Sequence, residues 1–219
     1  MTTSPTPRVL ALAAALAATT LLGACAPLLI GGAVLGGSIF AVDRRTSGAQ
    51  VEDQAIELKA GGRIGEVIGD RGHVNTTSYN RMVLVTGEVP NEADKAAVEQ
   101  ALARIDNVRS IVNELTVAAP SSLGNRSNDT LITSKVKASL VDAKDVQVNA
   151  YKVVTERGVV YLMGRVTERE AGRATDIARG VSGVQKVVRL FEVVTEAELA
   201  NIQPAAAGSA SAPVPAPAK

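Results

Sequence analysis

Two short runs rich in β-branched residues, Val74 to Tyr79 with its polar middle and Met82 to Val89 with its apolar start, lie on either side of Asn80-Arg81. Such runs around a short polar pair predict a hairpin. The pattern returns downstream, where Val146 to Thr155 and Val159 to Val166 flank Glu156-Arg157-Gly158, a loop whose glycine suits positive φ. Helical stretches surround each hairpin. Val51 to Ile68 precedes the first, and a helix from Asp129, its cap, to about Val141 precedes the second. Pro90-Asn91-Glu92 opens a helix to about Ile105. Thr167-Glu168-Arg169-Glu170 is a capping box that opens another, ending near Gly180. Val108 to Val117 and Val184 to Thr195 close the two sets as strands.

Each set reads helix, strand, strand, helix, strand, an α+β order, and the two sets are in step. Asp129 follows Asp53 by 76 residues, Gly164 follows Gly87 by 77, and Val184 follows Val108 by 76. A constant offset over a whole unit marks tandem duplication. The predicted units are 51–118 and 128–196, joined by a Pro/Ser/Gly-containing linker over 119–127. Gly61, Gly62 and Gly65 fall inside the first helix. At roughly 1 kcal/mol each relative to Ala, they predict a short or broken helix near Gly61. The Ala/Pro/Ser-rich stretch 197–219 cannot bury a core and is expected to be disordered.

Composition narrows the function. A formal charge of +1 gives no global pull toward nucleic acid, so any electrostatic role is local. Aromatics are 2% of the chain and Trp is absent, which leaves little material for a chemistry-bearing pocket. His73 is the sole histidine and reads as a turn residue, without partners at metal-ligand spacing. Glu170 is explained by the capping box, and the sequence buries neither Glu156 nor Glu168 in a way that would tune a pair for acid/base work. No nucleophile elbow, P-loop or dinucleotide fingerprint occurs. Neither an enzyme, a cofactor, a metal site nor a nucleic-acid partner is expected. Function must come from surfaces.

The N-terminus is an address. Arg8 precedes an apolar run from Val9 to Leu22, the order of a secretory signal over residues 1–24. Leu22-Gly23-Ala24-Cys25 resembles the bacterial lipobox. That resemblance implies cleavage before Cys25, the only cysteine, and its acylation. Ala26 in place of Asp implies sorting to the outer membrane. A Gly-rich tether is expected over 25–50. Ala26 to Val42 is uncharged and 17 residues long, so an uncleaved spanning segment is the alternative.

Gly87-x-Val89 and Gly164-x-Val166, each followed by a charged helix and a strand that opens Val-x-x-Ile (Val108 to Ile111) or Val-x-x-Val (Val184 to Val187), resemble the BON domain in both units. The stretches Ser127 to Val136 and Val160 to Ala171 are similar to dual-BON outer-membrane lipoproteins. The resemblance implies a three-stranded mixed sheet packed on two helices in each unit. It also implies binding of anionic phospholipid (phosphatidylglycerol, cardiolipin) through the second unit. The implied setting is the periplasmic face of the outer membrane, with a role in envelope integrity and at division sites.

The residues point the same way. At about 100° per residue, Ile132, Val136 and Leu140 share a stripe that should pack on the sheet. Leu131 lies off that stripe beside Lys135. A leucine beside an ammonium is what an interfacial helix needs. The expected phospholipid-binding set is Leu131, Ile132, Lys135, Val136 and Leu140, the three stripe residues serving the core as well. The first unit's helix carries Ala55 in the place of Leu131 and is acidic, so anionic lipid would repel it. The competing expectation is a protein-binding envelope adaptor or chaperone-like stress protein with no lipid role beyond the anchor.

Overall fold

The computed structural model describes residues 43–202. The signal, Cys25, the tether as far as residue 42 and the tail from residue 203 lie outside the described residues. The first unit runs α1 (Ser47–Ile68), β1 (His73–Tyr79), β2 (Met82–Val89), α2 (Glu92–Ala103), β3 (Ser110–Asn113) and β4 (Thr116–Val117). The second runs α3 (Leu123–Asp142), β5 (Tyr151–Glu156), β6 (Val159–Val166), α4 (Glu168–Arg179) and β7 (Lys186–Val193), followed by α5 (Glu196–Ile202). In each unit the middle strand pairs antiparallel with the strand before it and parallel with the strand after it. Both sheets are therefore mixed.

Helix α1 is unbroken. Ile56, Ala60, Ile64 and Ile68 recur every four residues and are buried against Val83, Val85 and Leu102. Each isoleucine contributes about 1.5–3 kcal/mol on burial, more than an interior glycine costs. Gly61, Gly62 and Gly65 sit on the solvent side, where an added Cβ would meet nothing. This overturns the expected break at Gly61.

Boundaries move elsewhere for equally local reasons. Thr46 caps α1, its hydroxyl accepting from Ala49 N at 3.1 Å, so Ser47–Gln50 is helix rather than tether. Ser122 caps α3, which begins six residues before Asp129 and shortens the linker to 118–122. The first unit's last strand is split, because Leu115 turns into the core at 2% exposure. A 3-10 turn at Val148–Ala150 delays β5 to Tyr151. His73 opens β1 instead of lying in a turn. The expected tail starts with helix α5, whose Leu199 is buried.

Asp129 does something other than cap. Its two carboxylate oxygens accept from the backbone N–H groups of Arg157 and Gly158, both at 2.8 Å. Asp53 does the same for Asn80 and Arg81, both at 2.7 Å. All four hairpin residues have positive φ, the two-residue turn that suits twisted strands, and Gly158 alone is a glycine. One buried helix carboxylate per unit thus holds a turn that non-glycine residues resist. The motif glycines also have a steric cause: a Cβ at Gly87 would collide with the carbonyl oxygen of His73, and one at Gly164 with that of Ala150.

The sheet faces turned away from the helices meet each other. Tyr79 and Leu84 of the first unit form one buried cluster with Tyr161 and Met163 of the second. Polar ties surround it. Lys152 Nζ bridges Glu57 (2.8 Å) and Ser78 O (3.2 Å), and Tyr79 Oη accepts from Arg165 N (3.1 Å). With the inner faces closed, what the two units offer to partners is mainly helix surface.

Candidate functional site

Helix α3 has two unlike faces. Ile132, Val136 and Leu140 are 1%, 0% and 0% exposed and pack under Val160, Leu162 and Ala174. They were expected to be shared between core and lipid. The structure gives them to the core alone, where they hold the helix down and cannot reach a surface ligand.

The opposite face carries Leu123 (78% exposed), Leu131 (60%) and Val141 (62%), with Ala138 also exposed. Lys135 flanks this strip on one side and Lys137 on the other. Both are exposed, and neither ammonium has a hydrogen-bond or ion-pair partner among the described residues. Leu131 and Lys135 are therefore brought together as expected. Leu123, Lys137 and Val141 complete the strip and were missing from the expected set. The signal for Leu123 was hidden behind the misplaced start of α3, since a residue thought to lie in a linker has no helix face.

A groove of about 360 Å³ runs beside α3, with Arg126, Thr130 and Thr133 on one wall and His73 and Asn75 of the first unit on the other. Arg126 donates twice to Ser121 O (3.1 and 2.9 Å) and has no ion pair among the described residues. Glu156 sits in the groove at 7% exposure, accepting from Asn75 Nδ2 at 3.2 Å. Burial pushes its carboxyl above the ordinary range, and Glu88 and Asp129 nearby push the same way. That burial was not legible from the residues around Glu156, because His73 and Asn75 on the facing wall belong to the other unit. Among the described residues no group of three or more His, Cys, Asp or Glu side chains could hold a metal ion. No described helix is long and apolar enough to cross a membrane.

The described residues thus form a duplicated αββαβ module with paired sheet faces and an apolar, cation-flanked helix outside. The chain belongs to the BON domain family, whose sequence profile matches residues 52–119 and 128–195. It is similar to "Outer membrane lipoprotein DolP" of Haemophilus influenzae, 36% identical over 194 residues, covering 88% of this chain and 98% of that one. It is also similar to "21 kDa hemolysin" of Actinobacillus pleuropneumoniae (30% identical, 70% of this chain and 80% of that one). A third relative is "Osmotically-inducible protein Y" of Escherichia coli strain K12 (28% identical, 63% and 70%). None of the three names is that of an enzyme.

Proposed function

We propose that the chain is an acyl-anchored envelope protein on the periplasmic face of the outer membrane. Its second BON domain would bind anionic phospholipid through the outer strip of α3. The observation that carries this reading is the exposure of Leu131 and its apolar neighbours between two unpartnered lysines. The name of the Haemophilus relative supports the location, and the lipobox-like Leu22-Gly23-Ala24-Cys25 supports the anchor.

The magnitudes suit a two-part attachment. Each lysine near an anionic surface contributes about 1 kcal/mol, and each half-inserted apolar side chain a similar amount. A sum of a few kcal/mol is weak binding from solution. An acyl anchor raises the effective concentration of the strip to the order of millimolar, where weak binding suffices. Roles in envelope integrity and at division sites would follow from where such lipids gather.

The test is an NMR titration of the mature, unacylated chain with phosphatidylglycerol micelles and, separately, phosphocholine micelles. Shifts along Leu123 to Val141 with the anionic micelles only are expected. Shifts confined to α1, or equal responses to both micelles, defeat the proposal. A second reading, a protein-binding envelope adaptor, is favoured by one feature: α1 exposes Val51 (69%) and Leu58 (77%) on an acidic helix. Shifts in α1 upon adding envelope extract, with none in lipid, would select it.

A further inference from the structure

The segment leading into α1 is fastened to both units. Arg45 serves the first: its guanidinium lies 4.5 Å from the Tyr79 ring centroid and pairs with Asp43 (2.6 Å) and Asp53 (2.8 Å). Arg44 serves the second, and its side chain is 1% exposed. Nη1 donates to Glu170 Oε2 (2.7 Å) and Arg165 O (3.0 Å), and Nη2 to Glu170 Oε1 (2.8 Å) and Gln147 Oε1 (3.5 Å). A planar fork on both oxygens of one carboxylate fixes orientation as well as distance.

Glu170 is itself immobile. It completes the α4 capping box by accepting from Thr167 N at 3.0 Å. Burial works against its charge, but Arg44 and the Thr167 N–H outweigh it and hold the carboxyl below the usual range. A buried ion pair is weak evidence for stability, since apolar residues of similar size can serve as well. What this pair supplies is location. Gln147 lies five residues beyond the end of α3, so the chain from the anchor side meets the fold at the C-terminal end of that helix.

Resting on the lipid-binding reading above, we propose that Arg44 is a positioning residue. Its pair with Glu170 bolts the anchor-side segment to the second BON domain beside the end of α3, so that the acyl anchor presents the Leu123–Leu131–Val141 strip to the bilayer. Without that pair the last fixed point on the anchor side is Arg45, and the orientation it gives α3 toward the bilayer is looser.

The experiment compares two forms of the mature chain on phosphatidylglycerol vesicles. One is acylated at Cys25; the other is exported through a non-lipoprotein signal, carries Cys25→Ser and has no acyl group. Each bears Ser134→Cys, an exposed strip position, labelled with an environment-sensitive fluorophore whose quenching by brominated lipid reports insertion. Arg44→Gln is expected to lower quenching about three- to tenfold in the acylated form. It should leave the vesicle affinity of the unacylated form within about twofold. Glu170→Gln, which keeps an acceptor for Thr167, should give a smaller loss with the same pattern, and it decides the matter if Arg44→Gln does not fold. Equal losses in both forms would mean that Arg44 only supports the fold, and no loss in either would mean that it positions nothing; each overturns the proposal. If Leu131→Glu leaves quenching and affinity unchanged in both forms, it is the lipid-binding reading itself that fails.

Discussion

Helices α1 and α3 occupy equivalent places in the two repeats and have parted in how their charges are used. Both expose large apolar side chains: Val51 and Leu58 on α1, and Leu123, Leu131 and Val141 on α3. Apolar exposure therefore does not separate them. The acids of α1 are partly spent on holding the molecule together, with Asp53 paired to Arg45 and Glu57 to Lys152. Of the other two, Glu52 accepts from Asn107 Nδ2 at 3.0 Å and Glu66 pairs with Arg63 at 3.3 Å on the exposed side. On α3 the Glu57 position is Thr133, which bonds only to Thr155, and Lys135 and Lys137 stay unpartnered. One copy has become the brace and the other has kept a free cationic face.

The deepest cut into this comparison is at the paired carboxylates. Asp53 accepts from Asn80 N, Arg81 N, Ser78 Oγ and Arg45, whereas Asp129 accepts only from two backbone N–H groups. Asp53→Ala should cost about 2–4 kcal/mol, because it leaves Ser78 Oγ and two backbone N–H groups without their acceptor and takes from Arg45 one of its two carboxylate partners. Asp129→Ala should cost about 1–3 kcal/mol. Urea unfolding of both variants measures the gap, and equal losses would show that the brace is not confined to the first unit.

Next in size is the surface. Leu131→Glu puts a carboxylate where the strip should meet acidic headgroups and should weaken phosphatidylglycerol vesicle binding at least about tenfold, roughly 1.4 kcal/mol. Leu58→Glu, at the more exposed position on α1, should leave binding within about twofold. Co-sedimentation reads both. If the two substitutions act alike, the charge argument fails and apolar exposure alone governs binding.

Smaller again is the effect of the α1 glycines. Gly61→Ala and Gly65→Ala fill open space on a helix that is already continuous. Each should stabilise by about 0.5–1 kcal/mol, seen as a higher urea midpoint at unchanged slope. A loss of stability would show that the glycines accommodate a close neighbour on α1.

What was legible in the sequence followed from period and offset. The hairpins, the capping box at Thr167 and the duplicated order all rest on short-range patterns. Leu131 beside Lys135 was legible because a helical wheel needs only the interior of a helix. The start of α3 was not, since Ser122 caps it from within a stretch rich in loop-forming residues, and Leu123 was lost with it. The roles of Asp53, Asp129 and Arg44 were out of reach for a different reason. Each depends on a partner 27 or more residues away that only the tertiary fold supplies. Continuity of α1 through three glycines was a question of magnitude, settled by core burial that propensity does not count.

The smallest expected effect sits where the two units share a wall. Glu156 of the second unit is buried against Asn75 of the first, and burial raises its carboxyl above the unfolded value. For a group raised on folding, the stability it contributes is fully present below the unfolded pKa, near 4.3, and is lost as pH rises through the folded value. Asp53 and Glu170 run the opposite way. In each, burial opposes the charge but hydrogen bonds outweigh it, to Ser78, Arg81 N, Arg45 and Asn80 N in one case and to Arg44 and Thr167 N in the other. Their contribution is present above the unfolded carboxyl range and is lost as pH falls through the lowered folded values. Glu156→Gln removes the first trend and leaves the second. It should raise Tm by about 1–2 °C near pH 7.5, with the difference vanishing toward pH 4. A Glu156→Gln chain that melts lower at pH 7.5 would show that the ionised carboxylate, held by Asn75, ties the units together after all.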